Sequence, residues 1–306
     1  MALALDLNGP LAFPVTPLGE DLGVDVAAFE AHTAWMVEHR PPALFVACGT
    51  GEFASLSPAE AGELARAAVR VAGGVPVFVG AGQSLPTALE FARQAEDAGA
   101  VGLLLFPPYL REAEAEGIVA YVRAVAAATS LPLVLYQRDG IAFEPSVVER
   151  LCELPTVAGF KDGLGDVERV QRLVRTIGDR LTYFNGMPTA ETYQPSYAAA
   201  GVPYYSSAVF NFVPEVSWAF WRALSAGDTA AVDGLIGGFF VPLTELRRKA
   251  KGYAISLVKV GAQLRRGVPA RVRPPLVEVP NAHVAELERI VARGLELAND
   301  FASASA

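Results

Sequence analysis

A closed (β/α)8 barrel carrying a C-terminal helical extension is the fold class this sequence predicts, and three observations predict it. Eight short β-rich runs recur between residues 11 and 207, separated by alanine-rich segments of helix length. The runs are continuously apolar rather than alternating, which marks strands buried on both faces, and helical crossovers between consecutive strands imply parallel pairing. After about residue 213 the pattern is helical only.

In order, the runs are LAFPVT (11–16), ALFVAC (43–48), PVFVGA (76–81), VGLLLF (101–106), LPLVLY (131–136), TVAGFK (156–161), LTYFN (181–185) and VPYYSS (202–207). An open doubly wound sheet is the alternative, but no GxGxxG fingerprint follows the first run. Helix starts keep the same phase. Ser57-Pro58 with Glu60 forms a capping-box pattern, and Asp166 precedes VERVQRLVRTIG as a cap. The expected organisation is one domain over 1–306, with the barrel in 1–212 and the extension in 213–306.

Composition narrows the function classes. The 306 residues are 52% hydrophobic, enough for a large core, and the net charge of −8 argues against a nucleic-acid surface. No uninterrupted apolar run approaches the roughly 18 residues that span a bilayer. The N-terminus lacks the basic segment of a secretory signal, so the expectation is a cytoplasmic protein with no membrane partner. Cys48 and Cys152 have no metal or disulfide spacing and read as small buried apolar residues.

Active sites of such barrels sit at the C-terminal strand ends. Lys161 ends the sixth run, inside VAGFKDGLGD, where an apolar strand meets a glycine-rich turn. Around the same mouth the other runs would place Thr50 and Gly51, Tyr109, Tyr136 and Arg138, Asn185, and Ser206 and Ser207. Such a set could hold a small oxyacid. A lysine there attacks a carbonyl if desolvation or a nearby cation lowers its pKa, and Tyr136 one strand away could carry the protons. Each residue also has a plainer reading: a surface lysine, a packing tyrosine, a rim ion pair of Arg138 with Asp139 or Asp162. His32, His39 and His283 fall in helices or at their edges. Only Glu52, Asp139 and Asp162 supply acids near the mouth, so no metal is expected. The basic RRKAK segment, 247–251, reads as a solvated helix face or a subunit contact.

These residues resemble the dihydrodipicolinate synthase and N-acetylneuraminate lyase superfamily of Schiff-base barrel enzymes. Gly159-Phe160-Lys161-Asp162 and Tyr136 stand where that group has its Gly-x-Lys-[Asp/Glu] segment and its strand-five tyrosine. GTGEFASLSPAE, YQRDG, GFKDGLGDVERV, GVPYYSSAVFNFVPE and RRKAKGYAISLVKVGAQL resemble a branch that dehydrates and decarboxylates a keto-deoxy sugar diacid. The resemblance spans nearly the whole chain. It implies Lys161 as imine nucleophile and Tyr136 as proton relay, acting without a cofactor on a small dicarboxylate in a homo-oligomer, dimer or tetramer. Thr50 and Gly51 are expected to bind the carboxylate beside the ketone, and Arg138 the distal one. Asp162, Asn185, Ser206, Ser207 and Asn211 complete the expected substrate contacts. Two departures stand out: Tyr109-Leu110 where the synthase has a second tyrosine, and Gln137 where the dehydratase branch would have Asn. A pyruvate-dependent aldolase using the same lysine, and a catalytically silent sensor, are the competing functions.

Overall fold

A computed structural model describes residues 2–109, 113–138 and 140–304 of the chain. Eight parallel strands close into a barrel in sequence order. They are β1 (Leu11–Ala12), β2 (Leu44–Val46), β3 (Val77–Ala81), β4 (Gly102–Leu105), β5 (Leu133–Gln137), β6 (Val157–Asp162), β7 (Thr182–Asn185) and β8 (Tyr204–Ser207). Each lies within or one residue beyond its apolar run, because a strand walled by helices on one side and the barrel interior on the other tolerates no exposed face. Closure comes from β1 against β8, with Leu11 opposite Ser206 and Ala12 opposite Ser207.

Aromatic rings fill the interior. Phe13, Phe45 and Phe78 form a stack with successive centroids 4.7 Å apart, and the Phe45 ring meets Phe184 edge-on. The stack leaves no room beside it: a Cβ on Gly102 would stand 2.4 Å from Phe78.

The crossovers are α1 (Val26–Glu38), α2 (Pro58–Val71), α3 (Leu85–Asp97), α4 (Ala115–Ala128), α5 (Pro145–Leu151), α6 (Val167–Ile177) and α7 (Gln194–Ala199), and α8 (Pro214–Ala226) follows the last strand. The expected caps form: Ser57 and Glu60 close a reciprocal box on α2, and Asp166 accepts from the Arg169 amide on α6.

Beyond α8 run α9 (Thr229–Leu235), α10 (Val241–Arg248), α11 (Tyr253–Arg266) and α12 (Asn281–Ala304). The 212/213 division falls just before α8, whose Val216, Ala219 and Phe220 share an apolar cluster with Leu243, Leu246 and Leu287 of the extension. A π-helical turn over Ile236–Phe240 joins α9 to α10. Pro242 lacks the N–H of a regular turn, and the widened turn spares its ring the clash with a carbonyl four residues back.

The continuous helical run Thr229–Arg248, 20 residues, is long and apolar enough by composition to span a bilayer, although Asp233 and Glu245 interrupt its apolar sequence. In the fold, its Leu235, Phe239, Phe240, Leu243 and Leu246 are buried against the rest of the extension. The RRKAK segment divides: Arg247 is partly buried and donates to Thr189 Oγ1, while exposed Lys249 pairs with Glu286.

Candidate active site

Register sets the site in two layers. Tyr136, Lys161 and Phe184 stand side by side across β5, β6 and β7, and one residue further Gln137, Asp162 and Asn185 do the same. Successive side chains on a strand face opposite ways. Lys161 and Tyr136 therefore turn into the barrel mouth, while Asp162 and Asn185 turn behind it.

The mouth holds a cavity of about 240 Å³ lined by Phe13, Thr50, Tyr136, Arg138, Lys161 and Ser206, with Gly186, Ala254 and Ile255 among the others. That is below the ~300–1,000 Å³ of sites for drug-sized ligands, and suits a small acid. Lys161 is only 4% exposed. Its Nζ lies 3.9 Å from the centre of the Phe13 ring and 4.9 Å from that of Tyr136. Among the described residues it makes no ion pair.

Burial is the largest influence on this amine and lowers its pKa; Cys48 acts in the opposite sense and Arg138 in the same one, with the result about 7. The Cys48 thiol is itself pushed up to about 12 by burial, so it is neutral at pH 7 and offers no counter-charge there. A substantial share of Lys161 is thus the free amine at neutral pH.

The Tyr136 hydroxyl donates to the Gly186 carbonyl at 2.9 Å. The Arg138 guanidinium carbon is 5.4 Å from the Tyr136 ring centre and 5.7 Å from that of Phe106. Glycine is required at 186, because a Cβ there would stand 2.6 Å from Lys161 Cε and 2.8 Å from Tyr136 Cε2.

Of the residues singled out in the sequence, the structure brings Lys161, Tyr136, Thr50, Arg138 and Ser206 to the cavity. Five others lie elsewhere. Asp162 takes Gln137 Nε2 at 2.5 Å, the Tyr197 hydroxyl and the amides of Leu164 and Gly165, so its carboxylate is consumed in shaping the turn after β6. Asn185 donates to the Ala190 carbonyl and Gln194, and accepts from the Met187 amide, bracing the loop after β7. Ser207 bonds Glu191 and Ser217 on the outer face of β8. Asn211 ties Val15, Phe13, Ala208 and His32 together. Gly51 is buried behind Thr50, its carbonyl accepting from Thr16 Oγ1. Asp162, Asn185 and Ser207 face the wall because neighbours on a strand alternate between mouth and wall, whereas Gly51 and Asn211 lie off the strands, in the turns after β2 and β8.

Glu52 is ion-paired with Lys259, and Asp139 lies outside the described residues, as do residues 110–112. Tyr109 is exposed and does not line the cavity. Gln137 joins the Asp162 layer, its Oε1 accepting from the Phe143 amide. His32 and His283 bond within the scaffold, to Asn211 and Tyr253. Sequence reasoning missed Phe13, which the first apolar run could have suggested, and Ala254 and Ile255, for which no local signal exists.

A closed parallel barrel with a buried lysine at the end of its sixth strand defines a lysine-centred (β/α)8 barrel. The Dihydrodipicolinate synthetase family profile matches residues 6–293, and the chain belongs to that family. It is 48% identical over 301 residues to "Probable 5-dehydro-4-deoxyglucarate dehydratase 1" of Streptomyces coelicolor, covering 96% of this chain and 95% of that one. A Rhizobium rhizogenes protein, "Probable 5-dehydro-4-deoxyglucarate dehydratase", is 45% identical over 93% of this chain and 94% of its own. The crystal structure of dihydrodipicolinate synthase from Bacillus clausii superposes with a TM-score of 0.86 at 25% identity, covering 94% of this chain and 97% of that one. The chloride-inhibited synthase from Acinetobacter baumannii, complexed with pyruvate, gives 0.81 at 25% identity over 94% and 99%.

Proposed function

We propose that this protein converts 5-dehydro-4-deoxy-D-glucarate to 2,5-dioxopentanoate, water and carbon dioxide through an imine on Lys161. The observation that carries the chemistry is the desolvated amine, which is nucleophilic near neutral pH without a separate base. The names of the relatives, at 45–48% identity over nearly the full chain, support the substrate.

Lys161 attacks the ketone, and loss of water from the carbinolamine leaves a protonated imine. Removal of a proton from the adjacent methylene gives an enamine, which expels the β-hydroxyl as water. The new double bond is conjugated with the iminium. When the distal carboxylate departs as carbon dioxide, its bonding electrons pass along that system to nitrogen. Protonation and hydrolysis then release the product, its aldehyde formed from the enol left at the decarboxylated carbon. Tyr136 moves protons at the nitrogen and the methylene. Thr50 binds the carboxylate beside the ketone, and Ser206 meets a substrate hydroxyl.

Arg138 orients the distal carboxylate. A guanidinium offers a planar fork, which can hold the departing bond perpendicular to the conjugated system. Arg138→Ala is expected to raise KM by about tenfold or more, equivalent to losing ~1.5–3 kcal/mol of charge-assisted hydrogen bonding. Steady-state kinetics showing unchanged turnover and KM would remove Arg138 from this role.

Borohydride trapping with 5-dehydro-4-deoxyglucarate, followed by peptide mass mapping, tests the whole reading. The expected result is a reduced adduct on Lys161, its mass showing the loss of water and carbon dioxide. The trapping rate should climb through pH 7 and level off above it, as the amine becomes neutral. Labelling by pyruvate alone would make the protein a pyruvate-dependent aldolase on the same lysine; labelling by neither would end the imine mechanism.

A further inference from the structure

The helical extension touches the mouth at two places on one helix face. Ile255 in the first turn of α11 lines the cavity. Lys259, four residues on and so on the same side of the helix, places its Nζ 2.5 Å from Glu52 Oε1. Both side chains of that pair are essentially inaccessible, at 0% and 1% exposure.

Glu52 ends the Gly49-Thr50-Gly51-Glu52 turn, and its backbone is left-handed, with φ 61° and ψ 36°. Such a conformation is uncommon for a residue with a Cβ and persists only where its surroundings enforce it. Thr16 Oγ1 holds the Gly51 carbonyl from the barrel side, and the extension holds the Glu52 carboxylate. Glu52 Oε1 takes Lys259, and Oε2 takes the Arg273 amide at 3.1 Å. The Arg273 guanidinium in turn grips the carbonyls of Leu22 and Ser55 and the carboxylate of Glu60. The turn's own backbone bonds are short-range, Glu52 N to Gly49 O and Phe53 N to Cys48 O.

A buried ion pair is often no more stabilising than apolar residues of the same volume. What an apolar pair cannot do is set the direction of the Glu52 side chain. We propose that Lys259 is a positioning residue: through Glu52 it holds the 49–52 turn so that Thr50 meets the substrate carboxylate, and so couples the placement of Ile255 to that of Thr50. The inference rests on the assignment of Thr50 to that carboxylate.

The test is a double-mutant cycle. Lys259→Met alone strands a buried carboxylate, so the working variant is Glu52→Gln with Lys259→Met, which removes both charges and keeps an acceptor for the Arg273 amide. It is expected to fold, to form the borohydride-trapped Lys161 adduct with saturating 5-dehydro-4-deoxyglucarate, and to raise KM roughly 10- to 100-fold with a smaller fall in kcat. Thr50→Val should then cost much less in that background than in the wild type, because the threonine is already misplaced. Equal Thr50→Val costs in both backgrounds, or an unchanged KM, would overturn the inference. Should the charge-free pair fail to fold, Lys259→Arg carries the same comparison, since it keeps the charge but shifts the turn. A Thr50→Val variant indistinguishable from wild type, or a wild type that traps no imine, would instead strike the underlying reading.

Discussion

Replacing Lys161 by methionine is expected to abolish turnover and, in the same molecule, to make the fold more stable. The kinetic loss should be roughly 10⁴-fold or more, because the covalent route has no substitute nucleophile. The stability gain follows from linkage. Burial depresses the folded-state pKa of Lys161 from 10.5 to about 7. Below pH 7 the amine is protonated in both states, and the native protein carries the whole cost of a desolvated ammonium, at most about 5 kcal/mol at 1.36 kcal/mol per pH unit. Between pH 7 and 10.5 the unfolded chain binds the extra proton, so wild-type stability rises with pH. The advantage of Lys161→Met should therefore be largest at pH 6 and shrink to about 2 kcal/mol near pH 9. Urea unfolding of both proteins at the two pH values measures it. Parallel stabilities would mean that the amine is solvated and not poised by burial.

The second large effect is expected from Tyr136→Phe, which deletes one oxygen and keeps the ring. The phenylalanine still packs edge-on to Phe106, as Tyr136 does at 5.3 Å, and still lies beneath the Lys161 amine. Turnover should fall by roughly 10²–10⁴, the range of a lost general acid or base. Stability should drop by only about 1–2 kcal/mol, the cost of leaving the Gly186 carbonyl without its donor. Borohydride should still label Lys161, but more slowly. That combination separates proton transfer from nucleophilic attack. A variant with near-normal kcat would return Tyr136 to a packing role.

Lys161 and Tyr136 were legible because both sit at the end of an apolar run, and a charge or phenol at that seam has few uses other than facing the mouth. The same logic overreached at Asp162, Asn185 and Ser207. Each is polar and stands at a strand end, yet each is one residue out of phase with the cavity and is spent on the wall. Period-two alternation was visible in the sequence. The face on which it begins was not, since continuously apolar strands hide their phase.

Local order in this chain is written locally: eight buried strands, the caps on α2 and α6, and a lysine and a tyrosine brought to one edge by parallel register. Tertiary structure alone decided which atoms surround that lysine. Phe13, Gly186 and Ile255 come from three distant segments, and the pair of Glu52 with Lys259 spans 207 positions in the chain. No periodicity encodes such contacts. The desolvation that lowers the pKa of that amine exists only when the barrel has closed around it.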